Sequence, residues 1–290
     1  MTEPQVTVVD EWIKTSDGTD IFTKTWKPTT TPVAQLLLIH GFGEHVNRYD
    51  DMCKVLASHG IQCYGYDQRG WGETGKRAKV YGDNQGYDTA LKDVNEAVHK
   101  LRQKEGPVFI LGHSMGGGIL LNYLSRKDQY DGVQYVKGAI ASAPLVTLTH
   151  PLPAIKYYPL LFISNFLPNF VISAGLDPKG ISHDEQQVEA FKNDPLVHDY
   201  ATLATIRGFL NAGQDLFDRA KSITTPVLFS HGDADPINKY ESTKQVYQTC
   251  ASQDKILKTW PGLYHEPHKE KLPERDQVIR YYQDWILSHL

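Results

Sequence analysis

Three residue types that together perform nucleophilic ester chemistry occur in this sequence in a fixed order. The first is Ser114, within the stretch FILGHSMGGG, where GHSMG at residues 112–116 fits the pattern G-x-S-x-G. A serine hydroxyl is a poor nucleophile near neutral pH and needs a histidine base, which a carboxylate in turn orients. In proteins with this serine motif on a strand-to-helix turn, the acid and then the histidine follow the serine. Both partners are therefore expected downstream of Ser114.

The glycines around Ser114 have a steric explanation. A serine in such a motif occupies a strained turn between a strand and a helix, and side chains at the flanking positions would collide. Gly117 and Gly118 would further allow the following helix to pack closely. The pattern alone also arises by chance, so its context matters: it follows an apolar run and precedes the helical segment 119–124.

Two aspartates compete for the role of the acid. Asp233 and Asp235 both lie in HGDADPIN, at the end of a predicted strand. We prefer Asp235, because the acid in this type of loop typically lies three residues after the glycine, here Gly232. Asp233 would then cap or brace the turn, and it stays the alternative because the local pattern does not separate two carboxylates. The candidate base is His265, in WPGLYHEPH after a short predicted strand at 256–260.

The charge that develops on an attacked carbonyl oxygen needs backbone N–H donors, an arrangement called an oxyanion hole. Met115 follows the serine and would supply one donor. Phe42, in IHGFGEH after an early apolar run, is the natural second donor, because the glycines let the chain turn beside the serine. His40-Gly-Phe-Gly43 could also be a plain strand-ending turn, but its occurrence together with the serine motif favours the first interpretation.

The elements that must position these residues follow from the apolar pattern. Apolar runs at 35–39, 108–111, 138–141 and 226–229 alternate with helical patterns such as 88–104 and 277–290. This alternation predicts a doubly wound, mostly parallel sheet, and each continuous run suits a strand that is covered on both faces. The first thirty residues alternate in polarity and predict an antiparallel hairpin at the edge of the sheet.

One segment departs from this pattern. Residues 157–176 contain no charged residue and are just long enough to span a bilayer, but two prolines and two asparagines argue against a spanning helix. The segment falls between the runs at 138–141 and 226–229, where a lid could be inserted without disturbing the sheet. Two interpretations stay open: a buried helical insertion, and an insertion that also exposes an apolar face to lipid.

Composition excludes several classes of protein. A chain of 290 residues can form one large α/β domain or two small domains. Its net charge of −4, without any block of basic residues, argues against a nucleic-acid partner. Cys53, Cys63 and Cys250 lack CxxC spacing and indicate reduced thiols in a cytosolic compartment. The N-terminus MTEPQ has neither a basic nor an apolar region, so we predict no signal peptide and no secretion.

Several motifs together resemble those of monoacylglycerol lipases, most closely the fungal members. They are HGFGEHVNRY, GYDQRGWGETG, GHSMGGG, GLDPKGISHD, HGDADPIN and PGLYHEPHKE, and they extend from about residue 14 to the C-terminus. The resemblance implies an α/β-hydrolase fold, with the core at residues 1–145 and 214–290 and an inserted helical lid at 146–213. It also implies a catalytic triad of Ser114, Asp235 and His265.

The family's polar pocket for the glycerol head group maps to Glu44, Arg48 and His268. Each of these residues has a simpler interpretation: Glu44 and Arg48 as a surface pair on one helical turn, and His268 as a solvated loop residue. His265 and His268 also suggest zinc, but Pro267 between them rules out an HExxH helix, so we predict no metal and no cofactor. Asp67 precedes the serine in sequence and is expected to brace the oxyanion loop.

We therefore predict a serine esterase that hydrolyses monoacylglycerol to fatty acid and glycerol through an acyl-enzyme on Ser114. The protein is expected to be cytoplasmic, with peripheral contact to membranes or lipid droplets, and the sequence gives no indication of its oligomeric state. Three alternatives remain: a carboxylesterase or lysophospholipase with another head-group preference, a cofactor-free peroxidase, and a non-catalytic binding protein of the same fold. The last would typically have lost Ser114 or His265.

Overall fold

The computed structural model describes residues 6–151 and 153–290. Residues 1–5, in which we predict no signal peptide, lie outside the described residues. The strands are β1 (Thr7–Lys14), β2 (Asp20–Lys27), β3 (Ala34–Ile39), β4 (Ile61–Tyr66), β5 (Val108–His113), β6 (Val136–Ser142), β7 (Val171–Ser173), β8 (Tyr200–Thr202), β9 (Val227–Gly232) and β10 (Lys255–Trp260). The helices are α1 (Asp50–Ser58), α2 (Gly72–Ala78), α3 (Tyr87–Leu101), α4 (Met115–Leu124), α5 (Ala154–Ile163), α6 (Glu185–Asn193), α7 (Leu203–Arg219), α8 (Tyr240–Thr249) and α9 (Glu274–Ser288).

Eight strands form one sheet in the order β1-β2-β4-β3-β5-β6-β9-β10. The pairs β1 with β2 and β2 with β4 are antiparallel, and the strands from β4 to β10 pair in parallel. The predicted edge hairpin and the predicted parallel sheet are both confirmed. Because parallel strands end at the same edge, the segments that follow β3, β5, β9 and β10 come together there.

The apolar runs are continuous because successive side chains of one strand enter opposite cores. In β3, Leu37 and Ile39 join the cluster under α3, α4 and α7, whereas Leu36 and Leu38 join the cluster under α1 and α9. Both faces of β3 are therefore buried. This two-sided burial makes the central strands rigid supports for the segments at their ends.

The chain leaves the sheet after β6 and returns at β9, which are neighbouring strands. Between them lie α5, the antiparallel pair of β7 and β8, α6 and α7. A Cβ atom built at Gly213 would lie 2.0 Å from the carbonyl oxygen of Val146, so the two ends of the predicted lid touch. Helix α7 continues past the predicted end at Gly213 to Arg219. The boundaries of the lid stay a prediction.

The charge-free segment includes most of α5, with Pro159 inside the helix, and ends after β7. Many of its large apolar side chains are exposed rather than buried. The exposed ones from α5 to β7 are Ile155, Tyr158, Phe162, Ile163, Phe166, Leu167, Phe170 and Val171. Among the described residues, we find no helix that combines the length and apolarity needed to cross a membrane.

Candidate active site

The turn between β5 and α4 carries Ser114. Its backbone has φ 54° and ψ −118°, a conformation that costs energy for a residue with a side chain. The helix after the turn packs against the end of β3 so closely that a Cβ atom at Gly116 would lie 2.1 Å from the carbonyl oxygen of Ile39. Only glycine fits this contact. The turn thereby presents the serine hydroxyl at the edge where the parallel strands end.

Ser114, Asp235 and His265 form one hydrogen-bonded chain. The Oγ atom of Ser114 lies 2.9 Å from Nε2 of His265, and Nδ1 of His265 lies 2.7 Å from Oδ2 of Asp235. A carboxylate can only accept, so Nδ1 of His265 carries the hydrogen and Nε2 is free to accept the hydroxyl proton of Ser114. The structure thus brings together the three residues predicted as nucleophile, acid and base.

The two candidate acids lie in different surroundings. Asp235 is buried, and its Oδ1 atom accepts hydrogen bonds from the backbone N–H groups of Ile237 at 2.7 Å and Asn238 at 3.0 Å. Asp233 is exposed, and its carboxylate accepts a hydrogen bond from the N–H of Gly262 at 2.6 Å. Asp235 is therefore the carboxylate beside His265, while Asp233 braces the neighbouring turn.

The charges around His265 distinguish it from the other histidines of the site. Burial alone would lower the pKa of His265, but the charge and hydrogen bond of Asp235, together with the nearby charge of Glu266, outweigh burial and raise this pKa above 6.5. Burial and the neighbouring His265 lower the pKa of His113 to about 3, and burial holds the pKa of His268 well below its usual range. Of these three imidazoles, only His265 is set up to take a proton.

The Asp235 carboxylate stays ionised in spite of its burial. Burial alone would raise its pKa, but the attraction of His265 and hydrogen bonds from His265 and His231 outweigh burial, so the pKa lies below its usual range. The Nε2 atom of His231 lies 2.9 Å from Oδ2 of Asp235 and donates to it. Asp235 thus holds two imidazoles with one oxygen and two backbone N–H groups with the other.

The predicted oxyanion-hole donors lie on the two segments that flank Ser114. Met115 is the first residue of α4, so its N–H has no acceptor within the helix. A Cβ atom built at Gly41 would lie 3.2 Å from the Cβ atom of Ser114, which places the chain leading to Phe42 directly beside the serine. The structure therefore places Phe42 and Met115 on the two segments beside Ser114, and their role as oxyanion-hole donors stays a prediction.

Two buried side chains fix the loop that carries Phe42. His40 donates from Nδ1 to the carbonyl oxygen of Gly41 at 2.8 Å and accepts at Nε2 from the N–H of Gln68 at 2.9 Å. Asp67 accepts from the N–H of Val46 at 2.8 Å and from that of Glu73 at 2.7 Å, and burial raises its pKa to about 7. Asp67 thus braces this loop and the start of α2.

Glu44 and Arg48 belong to a buried ionic cluster, not to a surface pair. Arg48 donates to the carboxylate of Glu44, and it binds Glu266 through two hydrogen bonds of 2.7 and 2.8 Å. Tyr49 donates to Oε1 of Glu44 at 2.6 Å, and the same Glu44 atom accepts from the N–H of Gly41 at 2.6 Å. The interpretation of Glu44 and Arg48 as a surface pair is wrong for this reason.

His268 is likewise buried, so its interpretation as a solvated loop residue is wrong. Its ring stacks on Tyr49, with centroids 5.2 Å apart and an interplanar angle of 13°, and it meets the ring of His113 edge-on at 5.0 Å. The Nε2 atom of His268 is buried without a hydrogen-bond partner among the described residues. Such an unsatisfied polar atom indicates a place where water or a polar ligand group can bind.

Ser114 opens onto a cavity of about 600 Å³. One end of the cavity is polar and includes Glu44, His113 and Glu266. The remaining wall is largely apolar. Phe42, Pro236 and Ile237 contribute to it, but most of its large apolar residues come from the segment between β6 and β9: Leu145, Leu148, Leu160, Ile172, Leu176, Ile181, Phe191, Ile206, Phe209 and Leu210. Of the three predicted head-group residues, Glu44 lines this cavity, whereas Arg48 and His268 lie behind its wall.

The polar end also contains a set of possible metal ligands. Within the described part of the chain, ligand atoms of Glu44, His113 and Glu266 lie within 4.8 Å of one another. The guanidinium of Arg48 bridges these two carboxylates and fills the position where a cation would neutralise them. His265 and His268, the pair considered for zinc and rejected, lie apart in role: His265 belongs to the hydrogen-bonded chain with Ser114 and Asp235, and His268 belongs to the stacked rings. The two carboxylates at the polar end therefore already have a cationic partner, the guanidinium of Arg48.

The structure adds four residues that the sequence analysis did not identify. Glu266 directly follows the candidate base, and His113 directly precedes the candidate nucleophile, so proximity to each could have indicated them. His231 lies near the end of β9 and binds Asp235, and Asn238 lies in the loop after β9 and binds both Asp235 and Ser114. Sequence pattern does not reveal the directions of these side chains, because they depend on the turn after β9.

Comparison with known proteins gives consistent matches over nearly the whole chain. A family model described as serine aminopeptidase, S33, matches residues 30–272. The chain is 32% identical to a monoacylglycerol lipase of Mycolicibacterium smegmatis over 94% of this chain and 95% of that protein. It is 33% identical to a monoglyceride lipase of Saccharomyces cerevisiae, covering 80% of this chain and 77% of the relative.

Comparison with solved structures also finds a monoglyceride lipase similar to this chain. A soluble variant of monoglyceride lipase from Saccharomyces cerevisiae, in complex with a substrate analog, superposes with a TM-score of 0.85 at 28% identity. The match covers 100% of this chain and 96% of that chain, so it includes both the sheet and the segment between β6 and β9.

Proposed function

Because the chain belongs to the monoglyceride lipase family of serine hydrolases, we propose that it hydrolyses monoacylglycerol to glycerol and a free fatty acid through an acyl-enzyme on Ser114. One observation carries this proposal. The hydrogen-bonded chain of Ser114, His265 and Asp235 opens onto a cavity whose lining is mostly apolar but includes one polar cluster, the end described above. A monoacylglycerol is likewise apolar along its acyl chain and polar at its hydroxyl-bearing head group.

Acylation begins when His265 takes the hydroxyl proton of Ser114 at Nε2. The Oγ atom bonds to the ester carbonyl carbon, and the carbonyl electron pair moves to its oxygen, which the N–H groups of Phe42 and Met115 stabilise. The intermediate then collapses. The bond between the carbonyl carbon and the glycerol oxygen breaks, and His265 returns its proton to that oxygen so that glycerol leaves.

Deacylation repeats these steps with water. His265 removes a proton from the water, whose oxygen attacks the acyl carbonyl within the same oxyanion hole. The bond to Oγ of Ser114 breaks, the electron pair returns to Oγ, and His265 reprotonates it as the fatty acid is released. Asp235 holds His265 in the required tautomer and stabilises the imidazolium that forms twice in each cycle.

The polar end of the cavity would bind the glycerol hydroxyls. Glu44 contacts the cavity directly, and Arg48 would act through Glu44 and Glu266 by fixing both carboxylates. The unpartnered Nε2 of His268 lies behind this wall and could reach the head group through a bridging water. A buried site of this kind loses substrates that lack the hydroxyls, because its polar atoms are then unpaired.

The segment at 146–213 would act as a lid that lines the acyl channel and touches lipid from its outer face. The exposed apolar side chains between α5 and β7 support this role, because large apolar surface patches mark interaction sites. The protein would then be cytoplasmic and bind membranes or lipid droplets peripherally and reversibly.

The test is a comparison of hydrolysis rates. Wild-type protein should hydrolyse a long-chain monoacylglycerol much faster than lysophosphatidylcholine of the same acyl chain, and Ser114→Ala should abolish turnover of both. Glu44→Ala should reduce turnover of monoacylglycerol more than that of a short nitrophenyl ester. Equal rates on the two lipids would instead support the alternative of a general esterase or lysophospholipase. Peroxide-dependent halogenation by wild-type protein would support the peroxidase.

A further inference from the structure

Asn238 occupies a position between the nucleophile and the acid that the catalytic cycle above does not use. Its side chain is 1% exposed and lines the same cavity as Ser114. The Nδ2 atom donates to the carbonyl oxygen of Ala143 at 2.8 Å and lies 3.4 Å from Oγ of Ser114. The backbone N–H of the same residue donates to Oδ1 of Asp235 at 3.0 Å. One residue therefore contacts both ends of the triad.

The orientation of the Asn238 amide follows from its partners. The carbonyl of Ala143 can only accept a hydrogen bond, so the atom that faces it at 2.8 Å must be the NH₂ nitrogen. One amide hydrogen goes to Ala143, which leaves the second hydrogen for Ser114. The backbone is fixed as well, because Asn238 forms a β-bridge with Leu148. The donor is therefore aimed at Oγ before any substrate binds.

We propose that Asn238 is a fourth catalytic side chain, whose amide N–H donates to Oγ of Ser114. The role rests on Ser114 being the nucleophile, as proposed above. A serine hydroxyl has one hydrogen and two lone pairs. With the hydrogen directed to His265 and one lone pair held by Asn238, the second lone pair is the one that meets the carbonyl carbon. The hydroxyl is thereby held in the rotamer that attack requires.

The bond from Asn238 strengthens as negative charge appears on Oγ. In acylation the proton moves from Oγ to Nε2 of His265 while Oγ bonds to the carbonyl carbon. In deacylation the bond between the acyl carbon and Oγ breaks, the electron pair returns to Oγ, and the proton comes back from His265. A donor that binds a charged oxygen better than a neutral one favours both transition states over the bound substrate. The loss of this donor should therefore lower kcat and leave KM unchanged.

The experiment measures the reaction of Ser114 with a fluorophosphonate probe and the hydrolysis of a short nitrophenyl ester. Asn238→Leu removes the donor and keeps the number and branching of the side-chain heavy atoms, and Asn238→Ala serves where leucine prevents folding. Thr149→Val is the matched control, because Thr149 donates to the backbone carbonyl of Asp235 at 3.1 Å and steadies the same loop without contacting Ser114. Thermal unfolding of each variant shows whether the loop is retained.

We expect folded Asn238 variants to react with the probe about tenfold more slowly, with kcat reduced by a similar factor and KM unchanged, since one neutral hydrogen bond is lost. Thr149→Val should stay within about twofold of wild type. Probe labelling of Asn238→Leu or Asn238→Ala at the wild-type rate would overturn the proposal, and so would an equal loss in Thr149→Val. A wild-type protein that the probe does not label at Ser114 would instead refute the proposed function.

Discussion

Asp235 binds two imidazoles and two backbone N–H groups, which a carboxyl group can do only in its ionised form, in which both oxygens accept hydrogen bonds. Oδ2 accepts from His231 and His265, and Oδ1 accepts from two backbone N–H groups. Every one of these partners is a donor, so the carboxylate must remain an acceptor at each position. This environment supports the prediction that Asp235 is the acid, because Asp233, two residues earlier, lies at the surface and accepts its hydrogen bond from Gly262 rather than from a histidine.

Asp235→Asn should lower kcat for a short nitrophenyl ester by about 10³–10⁴-fold, because an amide nitrogen facing His265 imposes the wrong tautomer on the base. Asp233→Asn should change kcat by less than about threefold, since Asp233 is exposed and only braces a turn. Kinetics of the purified variants check both values. A larger loss in Asp233→Asn than in Asp235→Asn would reverse the assignment of the acid.

The raised pKa of His265 has a consequence for the pH dependence of the reaction. His265 must be neutral to accept the proton of Ser114, and its pKa lies above 6.5 because of Asp235. As pH rises through this pKa, the neutral form accumulates, so kcat/KM should increase with a midpoint above 6.5. A pH profile of kcat/KM with a neutral short ester measures the midpoint. If kcat/KM instead rises with a midpoint well below pH 6.5, the pKa of His265 is not raised by its acidic neighbours and this prediction is wrong.

Glu266 contributes to the same shift, because its negative charge also raises the pKa of His265. Glu266→Gln should therefore move the midpoint of the kcat/KM profile to lower pH. Glu105→Gln is a suitable control, since Glu105 is exposed and precedes β5, at the opposite edge of the sheet from the site. The control profile should coincide with that of wild type.

At the scale of elements, the contact between the start of α4 and the end of β3 determines where Ser114 lies. A methyl group on Gly116 would overlap the carbonyl oxygen of Ile39, which belongs to a strand buried on both faces and cannot move aside. The helix would have to shift, and the serine with it. The glycine is therefore required by packing and not by its backbone conformation.

Gly116→Ala should lower the free energy of unfolding by about 3 kcal/mol or more, because the overlap is with backbone atoms. Gly18→Ala provides the comparison: Gly18 has φ 85° with nothing within 4 Å of an added Cβ, so only backbone strain of about 1 kcal/mol is expected. Urea unfolding of both variants measures the difference. Similar losses would mean that the contact at Gly116 relaxes easily.

The sequence predicts the elements better than the walls of the site. Strands β3, β5 and β9 were predictable because burial on both faces leaves an uninterrupted apolar run, and loops at the ends of parallel strands necessarily meet. The placement of Arg48 and His268 behind the cavity wall was not predictable, because it depends on how the loop after β10 packs against the turn at residues 46–49, before α1. The contact of Asn238 with Ser114 was not predictable for a similar reason, since the direction of the Asn238 side chain depends on the turn after β9.

At the scale of the molecule, the sheet and the segment between β6 and β9 supply different parts of the site. The sheet brings together residues as distant in sequence as Ser114 and His265, and the inserted segment supplies most of the apolar cavity wall. The outer side of that segment carries the exposed apolar side chains. Under the lipid contact proposed for this side, the apolar surface would lower the barrier to transfer of an acyl chain from the lipid to the cavity.

Replacement of exposed apolar side chains on this outer face should therefore weaken lipid binding without affecting the triad. Ile155 and Phe166 are 83% and 69% exposed, and each methylene buried in lipid contributes about 0.8 kcal/mol. Ile155→Asp combined with Phe166→Asp should reduce binding to phosphatidylcholine vesicles at least about tenfold and slow hydrolysis of long-chain monoacylglycerol, because the lost apolar contact exceeds one factor of ten in affinity. Cleavage of a short soluble ester should not change.

The matched control for that double variant is Val33→Asp combined with Val55→Asp, two exposed apolar positions outside the inserted segment. This control should bind vesicles as wild type does, since a general effect of added negative charge on neutral vesicles is small. Vesicle sedimentation measures binding, and circular dichroism verifies that each variant is folded. If the folded Ile155 and Phe166 double variant binds vesicles as well as this control, the exposed face does not contact lipid, and the segment serves only to line the acyl channel.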